Sequence, residues 1–228
     1  MSVFVLVHGA WHGGWCWQRV TPLLRAQGHE VLVPTLTGLG ERAGELTPAV
    51  GLATHVEDIV EALGQSREPA ILVGHSYAGL VVRQAAARAP ERVGRLALVE
   101  GWVGPSGSSL ISLAPEWFSD GIRLLAEERG EGWRIPAPDP VVVGVSDPDD
   151  AAWLRRHLTD QPLRTFTEPT LLDERTTIPT SAIVAPQGPV PFATLATDLG
   201  FPIVEIEGGH DLMVTSPAAL ASALLELP

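Results

Sequence analysis

Short apolar runs alternate with stretches of helical spacing along most of this chain. Val3-Phe4-Val5-Leu6-Val7 is apolar without interruption and stops at His8-Gly9, which predicts a strand buried on both faces. A Gly/Trp loop over residues 9–17 follows, then a helical stretch through Leu23, Leu24 and Ala26 that Gly28 stops. Residues 31–33 predict a second strand, closed by Pro34. Leu52, Val56, Ile59, Val60 and Leu63 share one face of a helix. Residues 70–73 predict a third strand, residues 77–89 a helix that Pro90 follows, and residues 96–99 a fourth strand. Near the end, residues 182–184 and 203–206 predict two more strands, each followed by a helix. Brief apolar strands alternating with helices predict an α/β fold, with six mostly parallel strands and helices on both faces.

Between about residues 104 and 179 the alternation breaks. Pro105, Pro115, Pro136, Pro138, Pro140, Pro148, Pro162 and Pro169 crowd this stretch, and helical patches remain only around 113–127 and 149–158. Trp117, Phe118, Trp133, Trp153, Leu154 and Phe166 are too apolar for a disordered linker. The expectation is a small helical cap over the C-terminal ends of the strands, within a single domain spanning residues 1–228.

Composition narrows the chemistry. The 228 residues are 45% hydrophobic and 18% charged, as suits a globular enzyme. A net charge of −12 repels nucleic acid and acidic membrane faces. Every basic residue is arginine; without lysine, Schiff-base catalysis and the P-loop lysine are both excluded. Cys16 stands alone, so neither an internal disulfide nor a multi-cysteine metal site is expected. The N-terminus has no basic leader or small-residue cleavage site, and no apolar run reaches membrane length, so a cytoplasmic location is expected.

The sharpest motif is Val73-Gly74-His75-Ser76-Tyr77-Ala78-Gly79. A strand that turns abruptly into a helix while presenting a serine needs small residues on either side of it. Gly74 and Ala78 supply them, with alanine where the usual pattern has a second glycine. A serine hydroxyl needs a base, and Glu207-Gly208-Gly209-His210 places a histidine on a glycine-rich loop after the last strand. The acid is less direct. Its usual loop, after the penultimate strand, reads Ile183-Val184-Ala185-Pro186-Gln187-Gly188-Pro189-Val190 and holds no carboxylate. Glu100, ending the strand at 96–99, is the favoured acid; the alternatives give it a structural role, with Asp198, Asp211 or no residue as acid. The oxyanion hole is expected from the amides of Tyr77 and, in the loop after the first strand, Ala10.

The run from Phe4 to Trp17, with its His8-Gly9-Ala10-Trp11-His12-Gly13-Gly14-Trp15, resembles the opening of the plant methylesterase and hydroxynitrile lyase branch of α/β-hydrolases and their bacterial relatives. The likeness continues through Leu23 to His29 and the serine motif, returns at Glu207-Gly208-Gly209-His210, and is weakest in the cap. It implies a cofactor-free Ser/His/acid site without a metal. Two departures stand out. The branch's aspartate after the penultimate strand is missing, which moves the acid to Glu100. Hydroxynitrile lyases carry a lysine after the histidine, where this chain has Asp211, so a leaving cyanide has no stabiliser.

The expected function is hydrolysis of a carboxylic ester through a serine acyl-enzyme, on a small apolar or aromatic molecule. Trp11, Trp102, Trp117 and Trp153 are expected to line its pocket. A lyase or cyclase using the same residues for proton transfer is the alternative, and a non-catalytic receptor a further rival. The expected partner is a small-molecule substrate, with self-association as a homodimer left open.

Overall fold

The apolar runs converge in one sheet. The computed structural model describes residues 1–173, 177–186 and 188–227. Six strands, β1 (Val3–Val7), β2 (Glu30–Leu32), β3 (Ala70–His75), β4 (Val93–Val99), β7 (Thr180–Val184) and β8 (Ile203–Glu205), pair in the order β2-β1-β3-β4-β7-β8. All five pairings are parallel. Parallel strands need crossovers, supplied here by α1 (Thr21–Ala26), α2 (Leu52–Gly64), α3 (Ala78–Arg88) and α8 (Phe192–Asp198), with α9 (Leu212–Thr215) and α10 (Pro217–Leu225) closing the chain.

Both faces of the sheet are covered, which is why the strands read as continuous apolar runs rather than alternating ones. Val3, Val5 and Val7 of β1 pack in one core with Val56, Ile59 and Leu63 of α2 and Val81 and Val82 of α3. Phe4 and Leu6 point the other way, toward Leu24 of α1, Trp17, and Leu220 and Leu224 of α10. The helix expected from Leu52 to Leu63 buries Leu52, Val56, Ile59 and Leu63 of the predicted stripe together with His55, and leaves Val60 partly exposed. Several boundaries differ from expectation by one to three residues, and two features have a clear cause. β4 begins at Val93, three residues earlier, because pairing with β3 reaches Val93 across a register shift that leaves the exposed Gly94 unpaired. The loop after β1 ends in a single 3-10 turn, Gly14–Trp17, that tucks Cys16 and Trp17 into the core.

Between β4 and β7 the chain leaves the sheet through α4 (Leu110–Leu113), α5 (Glu116–Arg129), α6 (Pro148–His157) and α7 (Arg164–Thr167). The short strands β5 (Arg134–Ile135) and β6 (Gln161–Pro162) form a two-rung antiparallel clip within this stretch. Such a clip is too short to show a period of two in the sequence. Residues 174–176 of the expected cap and Gln187 of the loop after β7 lie outside the described residues.

The register positions everything that follows. Val7 pairs with Gly74, Gly74 with Leu98, and Leu98 with Ala182. The C-terminal ends of β1, β3, β4 and β7 therefore form one edge, and the residues just beyond them share it. Ligands in open parallel sheets bind outside this edge.

Candidate active site

Ser76 follows β3 directly and adopts a left-handed φ of +52°. Its amide donates to Val99 O at 3.0 Å, and its carbonyl accepts from Gly79 N (2.9 Å) and Trp102 N (3.0 Å). The small residues around it have separate tasks. A Cβ at position 74 would lie 2.7 Å from Ala78 O, and one at position 79 only 2.5 Å from Trp102 O. Glycine is thus demanded at 74 and 79 by close backbone crossings, while position 78 accepts the methyl of alanine within the core.

Ser76, His210 and Glu100 meet although the chain separates them widely. His210 Nε2 lies 2.9 Å from Ser76 Oγ, and His210 Nδ1 lies 3.2 Å from Glu100 Oε2. A carboxylate accepts only, so Nδ1 carries the proton and Nε2 presents a lone pair to the serine hydroxyl. The Glu100 side chain is 5% exposed and that of His210 23%. The second glutamate oxygen, Oε1, accepts from Ala185 N at 2.8 Å, and the Glu100 amide donates to Ile183 O at 2.8 Å. Glu100 also takes a left-handed φ of +48°, which turns its side chain across the strand end. Of the alternative acids, Asp198 ends α8 exposed, and Asp211 bonds His12 instead.

Ala10, in the loop after β1, lines the same cavity as Ser76, and Tyr77 follows Ser76 at the start of α3. Both residues are buried, and no acceptor among the described residues takes either amide proton. Their side chains are held elsewhere. The Tyr77 hydroxyl lies 3.0 Å from His55 Nδ1, and His55 Nε2 donates to Thr37 O at 2.9 Å. Burial drives the His55 pKa down to about 4, so the ring is neutral and accepts the tyrosine proton. The loop after β1 is anchored by His8, whose Nδ1 donates to Gly9 O and whose Nε2 accepts from Leu36 N. Burial lowers the His8 pKa to about 3, which keeps that acceptor available. Trp11, at φ +64°, completes the turn.

A cavity of about 680 Å³ opens beside these groups. Trp11, Trp102 and Trp117 line it, as do Phe118, Phe166 and Phe192. Trp102 is nearly fully buried, whereas Trp117 is 58% exposed and stands at the mouth. Trp153, expected in the pocket, is outside it. In α6 the inward stripe is Ala151 and Leu154. One residue back, Trp153 is rotated by about 100° onto Trp15 and Arg19. Trp133 stacks under Arg134 instead of lining the cavity.

Three contacts carried no motif. Phe192 stacks on the His210 ring, with centroids 5.2 Å apart and planes 13° from parallel. Gln161 Oε1 accepts from Trp11 N at 3.0 Å, and Ile135 O accepts from Trp11 Nε1 at 3.1 Å, so the β5–β6 clip grips the loop after β1. The third is the His12–Asp211 pair. Only a proline-rich loop hinted at the first, and nothing local at the others. His75, His210 and Asp211 form a cluster with metal-binding side-chain types. Both nitrogens of His210 and Nε2 of His75 already have protein partners, so the cluster reads as a hydrogen-bond network. Among the described residues, no helix is long and apolar enough to cross a membrane.

Comparison with known proteins bears on this site. The alpha/beta hydrolase family profile matches residues 4–223. The carbendazim hydrolyzing esterase of Nocardioides sp. (strain SG-4G) is 35% identical over 243 aligned positions that cover 100% of both chains. Methyl jasmonate esterase 1 of Vitis vinifera is 35% identical over 105 residues, 45% of this chain and 40% of that one. An extracellular alpha/beta-hydrolase from a Paenibacillus species, described as sharing structural and functional homology with tobacco salicylic acid binding protein 2, shares the fold. It matches with a TM-score of 0.85 at 24% identity, over 99% of this chain and 98% of its own.

Proposed function

The chain belongs to the alpha/beta hydrolase family and is an ester hydrolase, and we propose that its reaction on a carboxylic ester runs through a serine acyl-enzyme at Ser76. The observation that carries this reading is the continuous chain of bonds from Glu100 through His210 to Ser76 Oγ. Ser76 Oγ attacks the ester carbonyl as its proton passes to His210 Nε2. The oxyanion that forms takes the unused amide protons of Ala10 and Tyr77. Nε2–H then protonates the departing alkoxide, leaving an acyl-serine. Water enters, gives its proton to Nε2 and attacks the acyl carbon; the acid leaves and Ser76 Oγ regains the proton. Glu100 holds the ring in the productive tautomer and balances the imidazolium charge in both halves.

The cavity sets the substrate class. Apart from Glu100 and His210, no ionisable side chain lines it among the described residues, and aromatic rings form much of its wall. An uncharged small molecule with an apolar or aromatic portion fits this lining. A methyl ester, of the kind for which the grapevine relative is named, needs little room on the leaving-group side. The described residues between 104 and 179 act as the cap that supplies Trp117, Phe118 and much of the far wall.

Two measurements test the reading. A fluorophosphonate should label the protein once per chain, and a panel of model esters should release acid. Ser76→Ala should remove both while the protein stays folded. Residual turnover within about tenfold of wild type would overturn it, because losing a nucleophile costs orders of magnitude.

A further inference from the structure

Behind the Ser76–His210 pair lies a second polar network that the proposed reaction does not use. Asp211, one residue past His210, has no exposed side-chain surface, and His12, two residues past Ala10, has 2%. His12 Nε2 lies 3.0 Å from Asp211 Oδ2, and His12 Nδ1 lies 2.7 Å from Ala10 O. Both neighbours are acceptors, so both ring nitrogens carry protons and the ring is an imidazolium. The electrostatics agree. Burial alone would lower the His12 pKa, but the Asp211 charge, its hydrogen bond and the Ala10 carbonyl outweigh burial and raise it above 6.5. Burial alone would raise the Asp211 pKa, yet the charge and hydrogen bond of His12 bring it below 3.8. His75, between them, is held neutral by burial. It donates from Nε2 to His210 O at 3.1 Å, and that nitrogen lies 3.7 Å from Asp211 Oδ1.

The sheet does not itself connect these loops. β1 and β8 are separated by β3, β4 and β7, so about 19 Å of sheet lies between the strands that precede the two loops. Oxyanion donors work only within a few tenths of an ångström of 2.9 Å, so something must hold the Ala10 amide in register with His210.

We propose that His12 and Asp211 are positioning residues, an ionic clasp that ties the loop carrying the Ala10 amide to the loop carrying His210. His75 forms the third leg, onto the residue before the nucleophile. The inference rests on the acyl-enzyme reading above, and it assigns the two residues no contact with substrate. Ala10 O is gripped directly by His12, so any movement of Asp211 reaches the peptide unit next to the oxyanion amide.

The test compares Asp211→Asn, His12→Gln and the double variant, with kcat expressed per serine labelled to completion by a fluorophosphonate so that unfolded molecules drop out of the count. Asp211→Asn leaves an imidazolium without its counter-charge, and kcat should fall roughly 10- to 100-fold with KM within about twofold, the pattern for an interaction made in the transition state. The double variant restores a neutral amide–amide bond and should recover at least about threefold over Asp211→Asn. Unchanged kcat per labelled site, with only a lower thermal midpoint, would reduce the clasp to a structural ion pair. Additive losses in the double variant would show that the residues act separately, and equally overturn it. Failure of the wild type to be labelled would instead sink the acyl-enzyme reading, a distinguishable result.

Discussion

Glu100→Gln is the most informative single change, because it keeps the side chain's size and removes one property. Both glutamate oxygens are engaged as acceptors, Oε1 from Ala185 N at 2.8 Å and Oε2 from His210 Nδ1 at 3.2 Å. A carboxamide has one acceptor and one donor end, so it satisfies at most one of these bonds as it stands. If its oxygen faces Ala185, its amide protons face Nδ1, which must then become the acceptor. The ring proton moves to Nε2, and the atom that should take the serine proton becomes a donor. If the oxygen faces His210 instead, the Ala185 amide is left without a partner, and the imidazolium still lacks a counter-charge. Either way kcat should fall by roughly 10²–10⁴, about 3–5 kcal/mol of barrier. Steady-state hydrolysis of a chromogenic ester, per labelled serine, reads the effect, and urea denaturation checks the fold. Asp198→Asn, at an exposed helix end, is the control and should leave kcat unchanged. A folded Glu100→Gln enzyme within about threefold of wild type would refute the role given to Glu100.

Two further outcomes follow from the packing and the buried histidines. Trp117→Ala, at the cavity mouth, should shift the kcat/KM ratio between short and long acyl esters several-fold with little change in stability. Trp153→Ala, packed on Trp15 and Arg19, should lower stability by roughly 1–3 kcal/mol and leave that ratio alone; the opposite pattern would mean the cavity walls are misassigned. His8 and His55 have pKa values of about 3 and about 4, and His75 lies well below 6.5, all through burial. Below pH 6.5 the unfolded chain therefore binds more protons than the folded one, and stability should fall with pH, by up to roughly 1.4 kcal/mol per unit for each ring. The His12–Asp211 pair does not offset this, since its contribution is complete between the ordinary values of 3.8 and 6.5. Urea unfolding from about pH 6.5 to about pH 5 measures the slope, and a flat profile would show that these rings are already protonated or solvated in the folded state.

How much of this was legible in the sequence depended on whether the determining contacts were local. The strands stood out because burial on both faces makes each one an unbroken apolar run, as in Val3–Val7. Ser76 and His210 stood out because each is set by its own neighbours, small residues around a strand-to-helix turn and glycines after a last strand. Glu100 was reached by exclusion, its rival loop being empty of carboxylates, and the register that brings it beside His210 is a property of the sheet. Trp153 was misplaced because its direction is set by which face of α6 docks, and Leu154 wins that face. The His12–Asp211 and Trp11–Gln161 contacts span 199 and 150 residues, and no local spacing encodes them. Phe192 shows the same limit, since its stacking on His210 depends on the path of a loop whose composition reads only as proline-rich.

The left-handed backbones of Trp11, Ser76 and Glu100 lie in or beside neighbouring strand ends, and among the described residues only one other non-glycine residue, Glu131, shares that conformation. A left-handed residue with a side chain is disfavoured by roughly 1–2 kcal/mol relative to a right-handed one, and glycine would relieve much of that. A chain selected only for staying folded would drift toward glycine at position 76, whereas the side chains of Trp11 and Glu100 bond Ile135 O and the Ala185 amide and so offset their strain. Stability engineering aimed at this protein would therefore find an easy gain at the residue that its chemistry can least spare, so any stabilising search needs position 76 held fixed from the outset.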